Sequence, residues 1–391
     1  MYKDLNQLIA QMTAPGQMFE VTEAEVCGHT MKTWAMAPGS LRDVWLMSAA
    51  HGNQDYLVYQ DERWTYGQAH EQVARIANWL VSNGIGQHDR VAITMRNYPE
   101  WMLAYWALVC IGAVPVGLNA WWVAAEMQYG LQDSGVSMLI CDAERLARFQ
   151  EIREDFPQLP VVTVRVEDVP AWARPWDELL AADAALPEAD IDPEDDACIF
   201  YTSGTTGHPK GAQLTHRGCV SNVFTAMFSN LSQLTAQARI KGTPAADPMA
   251  ADQPKPSGIV ATPLFHVTAN NAMSQLLTAV GGKLVFMYKW DPGEALRIVE
   301  QERITSFTGV PVMSREMLNH PDFATRDTSS LAILAGGGAP VQPDLVEKIG
   351  SRGKGASPGQ GYGLTEVCGV AAASYGIFLM NKPASAGRLS P

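Results

Sequence analysis

The chain has 391 residues, more than one hydrophobic core serves, so at least two packed sub-structures are expected. Hydrophobic residues make up 47% of it and the net charge is −13, which supplies ample core and, with no basic block, argues against a nucleic-acid partner. Six scattered cysteines show no metal-ligand spacing, the N-terminus lacks a signal-peptide pattern, and the longest apolar stretch, Trp101 to Val116, is broken by Gly112 and Pro115. These features point to a cytoplasmic protein with reduced thiols and no transmembrane segment.

Residues 1 to about 55 give little away. Leu57 to Tyr59 then predicts a strand, and Thr65 with Gln68 predicts a capping box on a helix whose Val73, Ile76, Ala77 and Leu80 share a face. Val91 to Met95 predicts a buried strand, and Tyr98-Pro99-Glu100 opens a helix apolar nearly all round. The alternation continues through strands at Val114 to Leu118, Met138 to Cys141 and Val161 to Val166, with helices between. That pattern implies α/β architecture with a parallel sheet covered on both faces. The Pro- and acid-rich stretch Pro187 to Asp196 predicts a boundary, with residues 1–195 as a first α/β sub-structure and 196–391 as a second.

Beyond it, Ala197 to Phe200 predicts a strand that empties into Thr202, Ser203, Gly204, Thr205, Thr206 and Gly207, then His208, Pro209 and Lys210. Glycines let backbone amides face an anion, the hydroxyls donate hydrogen bonds, and Lys210 adds a compact positive charge. A polyphosphate is the expected guest. Only two residues part Gly204 from Gly207, and His-Pro precedes the lysine, so this is not the Walker loop. A helix follows from about Arg217. Residues 242–258, rich in proline and alanine, predict a mobile insertion. Strands resume at Ile259, Lys283, Ser306 and Leu331, with a helix over Pro292 to Glu302.

Position by position, Tyr201 to Lys210 resembles the phosphate-binding signature of the adenylate-forming (AMP-binding) superfamily, which includes the acyl-CoA synthetases. Three further segments fit the resemblance. His266, in Pro263-Leu264-Phe265-His266, would stand near the acyl phosphate. The segment Gly336, Gly337, Gly338, Ala339 and Pro340 would hold adenine, its three glycines exposing backbone with no side chain in front. In Gln360-Gly361-Tyr362-Gly363-Leu364-Thr365-Glu366, the resemblance implies that Tyr362 stacks on adenine and Thr365 bonds the α-phosphate. Glu366 would hold Mg²⁺ with Thr202 as a further contact, a donor set suited to a cation that keeps its waters. Trp121-Trp122 is expected to serve packing.

The resemblance implies two stacked parallel-sheet sub-structures forming the large N-terminal domain, with the small C-terminal domain and its lysine absent. Lys210, His266, Thr365 and Glu366 are the expected catalytic groups. ATP, Mg²⁺ and coenzyme A are the expected cofactors and co-substrates, a carboxylic acid is the partner, and a homodimer is left open. In such an enzyme the carboxylate attacks the α-phosphorus, pyrophosphate leaves, and the acyl adenylate passes to the thiol of coenzyme A. The small and apolar residues Val267 to Met273, without a charge for a second ionic group, predict a medium- or long-chain fatty acid. An aryl or polycyclic acid is the runner-up. Another adenylating enzyme, or a truncated nucleotide-binding module without turnover, are the rival readings.

Overall fold

Pro99 sits in the first turn of a helix, where its missing N–H costs nothing, and the helix Pro99–Cys110 is buried along its whole length. A segment apolar on all sides must lie inside. The computed structural model describes residues 1–204, 207–243 and 254–390. In chain order its strands are β1 Val21–Val26, β2 His29–Trp34, β3 Asp55–Tyr59, β4 Glu62–Thr65, β5 Arg90–Thr94 and β6 Val114–Gly117. Next come β7 Met138–Asp142, β8 Val161–Val164, β9 Arg174–Pro175, β10 Asp196–Thr202, β11 Lys210–Thr215 and β12 Ser257–Val260. The last are β13 Lys283–Phe286, β14 Ser306–Gly309, β15 Ile333–Gly336, β16 Ser357–Leu364, β17 Gly369–Tyr375 and β18 Arg388–Leu389.

Apart from the β1–β2 hairpin, they form a seven-stranded sheet, β11-β10-β6-β5-β7-β8-β9, and a nine-stranded sheet, β18-β17-β16-β15-β14-β12-β13-β3-β4. The interiors are parallel, and β7 and β8 are buried at every residue, as strands covered on both faces should be. Three of the four edges are antiparallel, β11 on β10, β4 on β3, and β17 and β18 beyond β16, while β9 joins β8 in parallel. Period-two patterns fix the strands but not the direction of an edge partner, and the two-residue turn Gln60-Asp61 reverses the chain where the sequence suggested only the strand Leu57 to Tyr59.

The sheets do not part at residue 195. Strand β10 pairs with β6, Ile199 opposite Val116, while β3 pairs with β13, Leu57 opposite Leu284. Each sheet therefore borrows strands from across the expected boundary, and one core contains Leu57 and Leu284 together with Val91 and Ile93. Proline and acid in Pro187 to Asp196 mark a surface connection rather than the end of a core. The expected capping box is present, with Gln68 N donating to Thr65 Oγ1 at 3.2 Å and Thr65 N to Gln68 Oε1 at 2.9 Å. The silent N-terminal region forms a helix, Tyr2–Met12, whose Leu5 and Leu8 pack with Ala236 and Phe378.

The helix His216–Lys241 ends on Gly242 in the left-handed conformation. Ser257 and Gly258, expected in the mobile insertion, are instead buried residues of β12. Residues 244–253 of that insertion lie outside the described residues.

Candidate active site

Strand β10 delivers Thr202 opposite Lys210 at the start of β11, and Thr202 Oγ1 donates to the Lys210 carbonyl at 3.4 Å. The loop between them needs its glycines. A Cβ on Gly204 would come within 2.3 Å of the His208 carbonyl oxygen, and Gly207 has φ +97°. Tyr129 clamps the loop from the helix Ala124–Ser134: its ring stacks on His208 at 5.0 Å and its hydroxyl donates to the Pro209 carbonyl at 2.9 Å. Lys210 is exposed. Thr205 and Thr206 lie outside the described residues.

His266 follows β12 and caps the short helix Val267–Ala269, with its ring edge-on to Phe265 at 4.7 Å. Burial holds its imidazole below the usual pKa, so it is neutral at pH 7. Beyond Phe265 lies Trp121, exposed, with its ring edge-on to Phe265 at 5.2 Å, while Trp122 is buried against Tyr201.

Seven of the expected residues, His266, Gly336, Gly337, Gly338, Gly361, Tyr362 and Thr365, line one cleft of about 440 Å³. Ala339 and Pro340 are exposed and lie outside it, and Gln360 is buried behind it with Oε1 unpaired. Glu366 lines a neighbouring cleft, with Gln213, Thr215, Gly218 and Asn222. Thus the structure gathers the histidine, the glycine edge and Thr365 around one space, and sets Glu366 on its other flank, near the strand that carries Lys210.

The cleft continues down the face of the nine-stranded sheet. Ser306, Thr308 and Val310 alternate along one face of β14 and the residue after it, with Ile333 and Ala335 beside them on β15. From Val310 to Ser306 the wall descends about 13 Å at roughly 3.3 Å per residue. Opposite it stand Thr268, Ala272, Met273, Leu276 and Leu277, and Ala226 and Asn230 close the side. None of the described residues lining this space is Asp, Glu, Lys or Arg.

Asn270 and Asn271, expected in the acid pocket, are instead fully buried. A π-helical turn, Asn270–Gln275, widens the helix and swings them into the core. There Trp101 Nε1 donates to Asn270 Oδ1 at 3.2 Å, and Gln275 Nε2 donates to the Tyr105 hydroxyl at 2.7 Å. Residues that sequence reasoning missed also face the cleft: Thr262, whose buried Oγ1 has no partner, Asn230 and Tyr375. Tyr129 was missed as well. Asn230, Tyr375 and Tyr129 lie outside the motifs, so no local signal marks them, whereas Thr262 directly precedes Pro263 of the histidine motif.

A nucleotide fits these residues. A Cβ on Gly361 would meet nothing within 4 Å, and one on Gly337 only the Thr268 methyl at 3.9 Å, leaving an open strip of backbone on which a flat base can lie. Among the described residues no cluster of three or more His, Cys, Asp or Glu forms a metal centre. A single carboxylate such as Glu366 suits Mg²⁺, which takes most of its ligands from phosphate and water.

The family model for "AMP-binding enzyme" matches residues 46–391. Among curated proteins, a feruloyl-CoA synthase from Amycolatopsis is 34% identical over 302 residues, 77% of this chain and 54% of that protein. The long-chain-fatty-acid–CoA ligase FadD13 of Mycobacterium tuberculosis is 30% identical over 338 residues, 84% of this chain and 60% of that protein. The chain therefore spans little more than half the length of these relatives. Among solved structures, the N-terminal domain of FACL13 from M. tuberculosis superposes with TM-score 0.73 at 26% identity, covering 90% of this chain and 83% of that one. The anthranilate CoA ligase AuaEII, at 21% identity, shares the fold with TM-score 0.78 over 90% of this chain and 64% of that one. This chain belongs to the AMP-binding enzyme family.

Proposed function

We propose that this chain binds the nucleotide and the acid in an enzyme that activates a carboxylic acid with ATP. The acyl adenylate would then pass to coenzyme A. The observation that carries this reading is the single cleft shared by His266, the glycines 336–338 and 361, Tyr362 and Thr365, opening into a largely apolar channel with no Asp, Glu, Lys or Arg among its described lining residues.

In this reading the loop Thr202 to Lys210 cradles the phosphates. The glycine edge receives adenine with Tyr362 over it, Thr365 donates to the α-phosphate, and neutral His266 donates a hydrogen bond where acid and phosphate meet. Most of the rate gain then comes from position and fixed dipoles. Bound Mg²⁺, held by Glu366 and Thr202, would neutralise phosphate charge. The channel takes the acyl group. An amino acid would need a buried carboxylate for its ammonium, because an unpaired buried charge costs several kcal/mol, and the lining supplies none. The free thiols support a reducing, cytosolic setting.

ATP–pyrophosphate exchange, measured with octanoate, palmitate, cinnamic acids and a set of amino acids, tests this. Exchange driven by a neutral-tailed acid is expected. Exchange driven only by amino acids would overturn the acid assignment, and nucleotide binding without exchange for any acid would leave a binding-only module.

A further inference from the structure

The channel is not apolar to its end. Asn222 Nδ2 donates to the Val370 carbonyl at 3.2 Å, and Gln233 Nε2 to the Ala373 carbonyl at 3.0 Å. Val370 lies opposite Gly363, at the edge where the nucleotide motifs stand, and Ala373 lies opposite Gly361, further in. Asn230 sits between Asn222 and Gln233 on the same helix, nearer Gln233, and so faces the inner part of the channel. Tyr375 lies opposite Gly359, in one row with Ala335 and Thr308, and Ser306 lines the channel two residues further down β14.

This end is polar and unsatisfied. The side chains of Asn230, Thr308 and Tyr375 make no hydrogen bond to another described residue. Ser306 already donates to the Ser257 carbonyl at 3.2 Å and so presents a lone pair. The Tyr375 phenol is a donor at neutral pH, and burial pushes it further up, to about 12. Ile333 lies beside Ser306 at this floor, and toward the mouth the walls are Ala272, Met273, Leu276 and Val310. A plain alkyl tail reaching the floor would expel water from these groups and give nothing back.

Resting on the reading above, we infer that the activated acid carries a hydrogen-bonding oxygen, a hydroxyl or ether, at the end remote from its carboxylate. The body of the molecule packs on the apolar walls. Asn230 and Tyr375 donate to the distal oxygen, and Ser306 accepts from it when it is a hydroxyl. The expected fatty acid took its support from residues 267–273 and from the room left by Gly336, Gly337, Gly338 and Gly361. The floor comes from three other elements and changes the preference.

The test uses equilibrium binding of AMP and of three sulfamoyl-adenosine esters, carrying decanoyl, ω-hydroxydecanoyl and para-hydroxycinnamoyl groups. At least one oxygenated ester should bind about tenfold or more tighter than the decanoyl ester, since a site built to bond a hydroxyl rejects its absence strongly. Which of the two binds tighter identifies an aliphatic or an aromatic carrier. Asn230→Leu and Tyr375→Phe should each shrink that ratio toward one while AMP affinity holds. Equal or tighter binding of the decanoyl ester overturns the inference and leaves the nucleotide site standing. Failure of AMP and all three esters to bind overturns the site itself.

Discussion

Gly363 and Gly369 meet across β16 and β17 so closely that a Cβ on Gly363 would fall 1.6 Å from the Gly369 carbonyl oxygen. The strand register slips beside this contact, between Tyr362 and Gly363, and Gly369 takes φ +136°. This bulge sends the chain into the short turn Thr365–Val367 and so sets Thr365 and Glu366 on different flanks. Gly363→Ala should therefore cost about 3 kcal/mol or more in urea denaturation, the upper range for overpacking. A loss below about 0.5 kcal/mol would mean the bulge is loose.

Gly361, two residues earlier, behaves in the opposite way. Its added Cβ meets nothing within 4 Å and its φ is ordinary, so the fold tolerates a side chain there. Gly361→Leu should leave stability within about 0.5 kcal/mol of the parent, yet weaken AMP binding at least severalfold by filling the cleft. Unchanged AMP binding would take Gly361 out of the nucleotide edge.

Acid should destabilise the protein through buried neutral histidines. Burial lowers His70 and His216 to about 4; His70 stacks on Trp45 at 4.1 Å, and His216 Nδ1 accepts from Leu41 N at 3.1 Å. Their pKa values in the unfolded chain lie near 6.5, so below that value the unfolded state takes up protons first. The stability they contribute is intact above about pH 6.5 and is lost as pH falls toward 4. His70→Asn and His216→Asn should each flatten the fall in urea midpoint across that window, relative to the parent. Parallel slopes in all three proteins would exclude the histidines as its cause.

Thiol chemistry should single out one cysteine. Cys27 is exposed, whereas Cys110, Cys141, Cys198, Cys219 and Cys368 are buried. Burial pushes the Cys110 thiol up to about 12. Brief maleimide labelling under native conditions, read by peptide mass spectrometry, should modify Cys27 well before the others. Prior labelling of Cys198 or Cys219 would mean that the helix His216–Lys241 opens readily.

The sequence made the central elements legible because their signals are local. A capping box at Thr65, a proline at the start of an all-apolar helix and glycines after strands each depend on a few neighbouring residues. The helix Pro292–Glu302 was placed to the residue. What escaped depends on distant partners. Nothing within β10 says that it joins β6 rather than β12, and nothing in Val267 to Met273 announces the π-helical turn that buries both asparagines. Asn230 and Tyr375 reach the cleft only because the long helix crosses β17. The motifs thus pointed to the proposed nucleotide end, while the proposed acid end needed the fold.

The most direct test of the account is calorimetry of Mg²⁺–ATP on the parent chain, Lys210→Ala, Glu366→Ala and the double variant, with urea denaturation of each as control. Both residues are exposed, so the variants should fold as the parent does, bind ATP at least tenfold more weakly and lose most of the magnesium dependence. ATP affinity unchanged in the double variant, with the fold intact, would contradict the assignment of this surface to nucleotide binding.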